Sequence, residues 1–199
     1  DKHLKPEELS ALEGGIKFGN PYINAKAAVY YNHHKNLIDW IQDGTRNEKN
    51  ELVWKSVNFG VINSLGVESS FNFNFLRILP SQHFLKKVSL GYSFINQDHK
   101  EEKGIVSKYV LEYLKHKAVF GLDHQIWSKL SASWSVRWQQ RMNGYHPYTK
   151  VDCKLMWDEK KYNIFVKADN ITCHRYYDLT AVKQPGLWIM AGASVNLGR

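Results

Sequence analysis

The sequence predicts an all-β fold, a transmembrane antiparallel β-barrel to which this chain contributes about nine strands. Apolar and polar residues alternate over nine segments, which is the pattern of strands with one apolar face. The segments reach about 9–11 residues or more, the length that a tilted strand needs to cross a bilayer. Short and long connections alternate along the chain, as they do in barrels with tight periplasmic turns and longer extracellular loops.

The strand assignments follow the apolar face of each segment. The sixth segment shows the pattern most clearly, because Leu130, Trp134 and Trp138 alternate with polar residues such as Ser131 and Ser133. The same period of two continues on both sides of this segment, so each segment is assigned as one strand. The nine predicted apolar faces lie within residues 12–18, 23–31, 59–75, 88–94, 118–126, 130–138, 151–157, 162–168 and 187–197.

The connections between these segments fall into two classes. Tight turns are predicted at residues 127–129 and 158–161, which leave no room for more than a reversal of the chain. Long loops are predicted at residues 42–54, 97–107 and 173–186. This division predicts that the long loops lie together at the extracellular end of the barrel.

Aromatic side chains mark both predicted membrane interfaces. Trp157 and Tyr162 flank one tight turn, whereas Trp138 and Tyr176 lie toward the long loops. Aromatic girdles at the two interfaces are typical of transmembrane barrels. A soluble β-sandwich also alternates apolar with polar residues, but the long strands and the two girdles favour the membrane barrel.

Composition argues against two other classes of protein. No apolar run approaches the roughly 20 residues of a spanning helix, which excludes a helical membrane protein. The formal net charge is +8, but the lysines and arginines are scattered and no nucleic-acid motif collects them. A basic lumen or contact with anionic lipopolysaccharide accounts for this charge without any nucleic acid.

The odd number of predicted strands suggests that further strands lie elsewhere. An all-antiparallel barrel needs an even number of strands to close. An open sheet in lipid leaves the N–H and C=O groups of its edges unsatisfied. We therefore expect residues 1–199 to belong to an incomplete barrel domain, which begins at Asp1 in mid-sequence or after processing.

The two cysteines are not predicted to form a disulfide. The turn near residues 159–161 pairs Cys153 with a residue near Lys167, which leaves Cys173 about six positions further along its strand. That separation is roughly 20 Å at the rise of a strand. A disulfide cannot span such a distance.

Five segments, in order, resemble the C-terminal signatures of TonB-dependent outer-membrane receptors. The last segment is the most similar, since Ala168-Asp169-Asn170-Ile171 is followed by Tyr176-Tyr177-Asp178 and then by Gln184-Pro185-Gly186. The segment departs from the family pattern in two places. The family's N-L-F-D is Asn170-Ile171-Thr172-Cys173 here, and Leu187 rather than arginine follows the Pro-Gly pair. The other segments lie at residues 4–17, 30–41, 63–68 and 113–117.

This resemblance implies a barrel of about 22 strands with a plugged lumen. It implies that residues 1–199 are the C-terminal part of this barrel domain and supply its last nine strands. It implies TonB-dependent active uptake of a scarce nutrient (cobalamin, haem or a ferric siderophore) across the bacterial outer membrane. The short loops are more similar to the cobalamin and metal-chelate receptors than to glycan importers. The implied partners are the TonB complex, reached through an N-terminal part with the plug, the remainder of the barrel, outer-membrane lipid, lipopolysaccharide and a small-molecule substrate.

The resemblance also places substrate contacts on the extracellular loops. No catalytic residue or cofactor is expected. No resident metal is expected either, because Cys173-His174 and His33-His34 lack ligand spacing. Haem or metal-chelate contact through a loop histidine is a further hypothesis. The alternatives to TonB-dependent uptake are a passive porin-like barrel and an outer-membrane barrel hydrolase. The candidate substrate-binding residues are Asp43, Arg46, Trp54, His99, Arg141, Tyr145, His146, Tyr177 and Lys183.

Overall fold

The computed structural model describes residues 3–98, 105–107, 113–142, 146–177 and 182–196. These residues form one sheet of ten strands and one short helix. In chain order the elements are β1 (Glu8–Gly19), β2 (Ile23–Gln42), β3 (Lys55–Asn74), α1 (Phe75–Ile78), β4 (Leu85–Gln97), β5 (Val106–Ser107), β6 (Leu114–Trp127), β7 (Leu130–Arg141), β8 (Tyr148–Asp158), β9 (Tyr162–Asp169) and β10 (Trp188–Val195).

The sheet is antiparallel, and its nine long strands are neighbours in chain order from β1 to β10. The predicted all-β antiparallel fold and the nine predicted strands are therefore confirmed. The two-residue strand β5 was not predicted, because two residues show no alternation; it pairs with the end of β2. The described strands form an open sheet, with β1 and β10 at its edges.

Two predicted strand limits are wrong. Phe75 was placed in the third strand, but it begins helix α1, and the Gln82 side chain holds the turn that follows. Its Nε2 donates to Phe75 O at 3.2 Å and to Leu85 O at 2.9 Å, while its Oε1 accepts from Leu85 N at 2.7 Å. The second strand also continues beyond Tyr31 to Gln42, since pairing with β3 persists where the alternation in sequence fades.

One face of the sheet is apolar and uncovered. The register aligns Val29 with Val67 and then with Phe94, so that this face runs across neighbouring strands. Its side chains keep large exposed fractions, such as 78% for Ile16 and 66% for Val195. So large an apolar surface marks an interaction site, and on a barrel it is the face that meets lipid.

The opposite face carries polar residues and two glycines covered by aromatic rings. A Cβ at Gly66 would lie 2.0 Å from the Tyr30 ring, and a Cβ at Gly192 would lie 2.6 Å from the Phe165 ring. Each ring therefore covers the glycine of the neighbouring strand, an arrangement that protects an otherwise bare backbone. We call this polar side the lumenal face.

The connections divide between the two ends of the sheet as predicted. One end has the short turns, where Asn20 Oδ1 accepts from Tyr22 N at 2.9 Å and from Ile23 N at 2.7 Å. The other end has the connection between β2 and β3 and the connections on either side of β5. Among the described residues, no helix is long and apolar enough to cross a membrane.

Both cysteines are free. The register between β8 and β9 pairs Cys153 with Ala168, one residue from the position expected from the sequence. Cys173 lies beyond the end of β9, with a positive φ of 50°. The prediction that the two cysteines do not form a disulfide is confirmed.

Candidate functional site

The loop between β2 and β3 is held together by its own charged residues. The Asp43 carboxylate forms an ion pair with Lys55 and accepts from Thr45 Oγ1 at 2.6 Å and from Thr45 N at 3.2 Å. The hydrogen bond from Lys55, followed by those from Thr45, holds the pKa of Asp43 well below its ordinary value of 3.8. Because the folded pKa is lowered, this contribution to loop order is present above pH 3.8 and is lost as the pH falls through the lower, folded value.

Arg46 closes the same loop from the other side. Its Nη1 donates to Asn50 O at 2.5 Å, and its backbone pairs with Leu52. Asp43 and Arg46 thus shape the loop, and their charged groups already have partners within it. Trp54 is 40% exposed and Leu52 is 46% exposed, so the loop presents apolar surface to solvent.

The connection between β4 and β6 is attached to β2 through β5. Val106 and Ser107 pair with Gln42 and Ile41. Asp39 and Ser107 are both fully buried, and Ser107 Oγ donates to the Asp39 carboxylate. Trp40 N donates to the other carboxylate oxygen at 2.7 Å. A buried carboxylate requires such donors, so the pair fixes the connection to the end of β2.

Asn170 organises the connection between β9 and β10. It is 1% exposed and has a φ of 54°, a conformation that asparagine adopts more readily than most residues. Its Nδ2 donates to His174 O at 2.9 Å and to Pro185 O at 3.2 Å. Its Oδ1 accepts from His174 N at 3.1 Å and from Thr172 Oγ1 at 3.3 Å. One side chain therefore joins both ends of the loop.

An aromatic stack continues from this point onto β8. The rings of Tyr148 and Tyr176 stack with centroids 4.5 Å apart, and His174 lies 6.3 Å from Tyr148. Tyr148 and Tyr176 are buried, whereas Tyr177 is 45% exposed. Tyr177 pairs with Lys183 across the tip of the loop, so the stack supports a presented pair of side chains.

The structure brings together some of the predicted substrate-binding residues. Asp43, Arg46 and Trp54 share the loop between β2 and β3, and Tyr177 pairs with Lys183 in the last loop. His146 is exposed just before β8. His99 and Tyr145 lie outside the described residues.

Arg141 is the exception among the predicted loop residues. It was assigned to the third loop, but it is the last residue of β7 and pairs with Leu114 of β6. The strand continues through Gln139 and Gln140 because its pairing with β6 extends beyond the apolar alternation. The predicted loop position of Arg141 is therefore wrong.

No metal centre is found in the part of the chain that the structure describes. No group of three or more His, Cys, Asp or Glu side chains there could hold a metal ion. His33 Nδ1 lies 2.6 Å from Asn63 Oδ1, and Tyr92 Oη lies 2.8 Å from His116 Nδ1. These histidines therefore serve hydrogen-bond networks within the sheet.

Comparison with known proteins identifies the family. The family model described as "TonB dependent receptor-like, beta-barrel" matches residues 1–171. The chain belongs to this family. TonB-dependent receptors are β-barrels of the Gram-negative outer membrane, and the exposed apolar face of the sheet fits that location.

Solved structures of two metal transporters and a siderophore receptor share the fold. The FrpB iron transporter of Neisseria meningitidis covers 96% of this chain with 14% identity and a TM-score of 0.69. The copper transporter OprC covers 96% of it with 13% identity and a TM-score of 0.73. The ferric enterobactin receptor PfeA of Pseudomonas aeruginosa covers 98% of it with 18% identity and a TM-score of 0.66. The chain spans 31–32% of the length of these three chains. No significant match was found among curated protein sequences. The named neighbours are transporters and receptors, not enzymes.

Proposed function

We propose that the receptor containing this chain takes up a scarce metal-chelate nutrient across the outer membrane with energy supplied through TonB. The observation that carries this proposal is the family match over residues 1–171. The names of the structural neighbours, which include iron and copper transporters, favour a metal-containing substrate over a glycan. Cobalamin, haem and a ferric siderophore all belong to this substrate class.

The strands of this chain provide the wall, and its loops provide contacts for the substrate. The last loop presents Tyr177 and Lys183 on a support made by Asn170 and the aromatic stack. The loop between β2 and β3 presents Trp54. Rigid scaffolds that carry exposed loop residues are typical of binding sites. The remainder of the barrel, a plug that contacts TonB, and the lipid and lipopolysaccharide around the barrel complete the proposed assembly.

The proposal is tested by uptake in cells. The complete receptor is expressed in a Gram-negative host that lacks its own receptors, and accumulation of labelled cobalamin, haem and a ferric siderophore is measured with and without TonB. We expect one of these compounds to accumulate only when TonB is present. Accumulation that persists without TonB would support a passive porin-like barrel instead, and no accumulation of any of the three would contradict the proposal.

Loop variants give the uptake experiment a matched comparison. Replacing both Tyr177 and Lys183 with alanine removes the presented pair, and we expect it to lower the apparent affinity for the substrate. The control is Lys160→Ala in the turn between β8 and β9, at the opposite end of the sheet. Equal uptake by both variants would remove Tyr177 and Lys183 from the proposed site.

A further inference from the structure

The apolar face of the sheet contains a groove over its middle strands, β3, β4, β6 and β7. Its cavity volume is about 390 Å³. Each of these four strands is paired on both sides within the described sheet, so the walls of the groove are complete in this chain. We call it the outer groove. The side chains that line it include Leu90, Tyr92, Ala118, Phe120, Val136 and Trp138.

The register of the strands creates the outer groove. One row across the apolar face aligns Tyr92 with Ala118, and Ala118 with Trp138. The same row aligns Tyr92 with Ser69 on its other side. Because short side chains alternate with large rings along this row, the rings form the walls of the groove and the short side chains form its floor.

The outer groove lies toward the end of the sheet that carries the long loops. Trp127 ends β6 at a short turn, and Ala118 and His116 precede it by 9 and 11 residues. A tilted strand crosses the apolar layer of a membrane within about 9–11 residues. Because the short turns of such barrels are periplasmic, the groove opens into the outer leaflet and His116 lies at the level of the lipid head groups.

A polar side chain lies at the extracellular end of the outer groove. The next row of the sheet aligns Phe94 with His116, and His116 with Gln140. His116 Nδ1 lies 2.8 Å from Tyr92 Oη, and the His116 ring centroid lies 4.9 Å from that of Phe94 and 6.1 Å from that of Trp138. With Tyr92 as the donor to Nδ1, the Nε2 atom carries a hydrogen that has no acceptor among the described residues.

An irregularity in β6 inserts a lysine beside this histidine. The register advances from Leu114 to His116 on β6 but only from Arg141 to Gln140 on β7, so Lys115 is an extra, unpaired residue. Bulges of this kind are used to redirect side chains. The Lys115 ammonium group forms no ion pair with any residue that the structure describes.

The other histidine on the apolar face of β6 shows the contrast. His124 lies close to the short turn, where Trp134 Nε1 donates to its Nε2 at 3.1 Å and its Nδ1 lies 3.2 Å from Gln125 O. Both nitrogen atoms of His124 therefore have partners within the protein. At the outer leaflet, by comparison, His116 keeps a donor without a partner among the described residues and is followed along the groove by apolar side chains.

We propose that the outer groove binds an acyl chain of lipopolysaccharide and that Lys115 and His116 bind a phosphate group of its head. An acyl chain gains many van der Waals contacts between two aromatic rings. An ammonium group donates charge-assisted hydrogen bonds to phosphate oxygens. The position in the outer leaflet favours lipopolysaccharide over the phospholipids of the periplasmic leaflet. The inference goes beyond the proposed function, because the groove lies on the face turned away from the lumen.

Binding of lipopolysaccharide to the complete receptor in detergent tests the inference. The probe is purified lipopolysaccharide without O-antigen, and native mass spectrometry measures the Kd of the first molecule bound. We expect Ala118→Phe, which fills the groove with a third ring, to raise this Kd at least about tenfold. The matched control is Ala191→Phe, which adds the same ring to the apolar face of β10, outside the groove, and should bind like the unmodified receptor.

A second variant tests the head-group contact and guards against misfolding of the first. Lys115→Gln/His116→Phe keeps an aromatic ring at position 116 but removes the ammonium group and the imidazole donor. We expect the Kd for lipopolysaccharide to rise about tenfold. Enzymatic removal of the lipid phosphates should weaken binding to the unmodified receptor by a similar factor and leave the Kd of this variant unchanged.

Several results would overturn the inference. These are no binding of lipopolysaccharide by the unmodified receptor, unchanged Kd values in both groove variants, and equal weakening by Ala118→Phe and Ala191→Phe. A change from dimer to monomer in Ala118→Phe, with unchanged lipid binding, would assign the groove to a second copy of the receptor instead. Lipopolysaccharide binding that depends on the groove, in a receptor that accumulates none of the tested compounds, would support this inference and contradict only the proposed transport.

Discussion

Replacing Asn170 with alanine is expected to release the connection between β9 and β10. The substitution removes hydrogen bonds to His174 O, Pro185 O, His174 N and Thr172 Oγ1 from a site that is 1% exposed. Buried backbone groups left without partners cost about 1–3 kcal/mol each, although some regain water when the loop opens. We expect the free energy of loop opening to fall by about 2–4 kcal/mol.

Amide hydrogen exchange in the complete receptor measures this effect. The amides of His174 and Gln184 report on loop closure, since they donate to Asn170 Oδ1 and Tyr176 O. We expect the exchange rate of these two amides to rise about tenfold for each 1.4 kcal/mol by which the free energy of loop opening falls. Asn170→Gly separates two causes, because glycine accepts a φ of 54° without strain but lacks the amide.

The control for Asn170 is Asn163→Ala. Asn163 also accepts a hydrogen bond, from Ser194 Oγ at 2.9 Å, but that bond is exposed. Its loss should therefore cost much less. If neither Asn170→Ala nor Asn163→Ala changed the amide exchange rates of the loop appreciably, Asn170 would not be the residue that organises it. If Asn170→Gly were as stable as the unmodified receptor, backbone conformation alone would explain the effect.

Replacing Val67 with arginine is expected to destabilise the barrel. Val67 lies in the middle of β3 on the apolar face, where it is 38% exposed and aligned with Val29 and Phe94. An arginine facing lipid near the middle of a bilayer costs about 2–4 kcal/mol in a transmembrane barrel. Folding into lipid vesicles at increasing denaturant concentration measures the loss.

An arginine on the other face of the same strand is the matched control. Asn72 lies in β3 on the lumenal face, where it is aligned with the uncharged residues Asn24 and Ser89. Arginine at this position remains in a polar environment and stands opposite no like charge, so Asn72→Arg should cost less than about 1 kcal/mol. Equal destabilisation by the two substitutions would mean that the faces have been assigned incorrectly.

The sequence predicts the long strands well because their physics is local. Each strand between lipid and a polar lumen needs alternating residues, and residues 130–138 show this alternation without any structural information. The two-residue strand β5 lacks such a pattern. Its position depends on the buried contact between Asp39 and Ser107, which are 68 residues apart.

The site was less predictable because it depends on contacts between distant residues. The motif that includes Asn170 was visible in the sequence, but its hydrogen bond to Pro185, 15 residues away, was not. Arg141 was misplaced because strand pairing continues beyond the alternation that predicted the strand.

The central claim is that residues alternate between lipid and lumen along each strand, and β8 allows the most direct measurement. Spin labels are placed singly at Cys153, in a receptor that keeps no other cysteine, and at Asp152→Cys and Lys154→Cys, in a receptor without native cysteines. Electron paramagnetic resonance in lipid vesicles measures collisions with oxygen, which partitions into lipid, and with a water-soluble nickel chelate. We expect the label at position 153 to collide more with oxygen than with the nickel chelate, and the labels at positions 152 and 154 to show this preference much less. Equal preferences at the three positions, or a reversed pattern, would contradict the barrel.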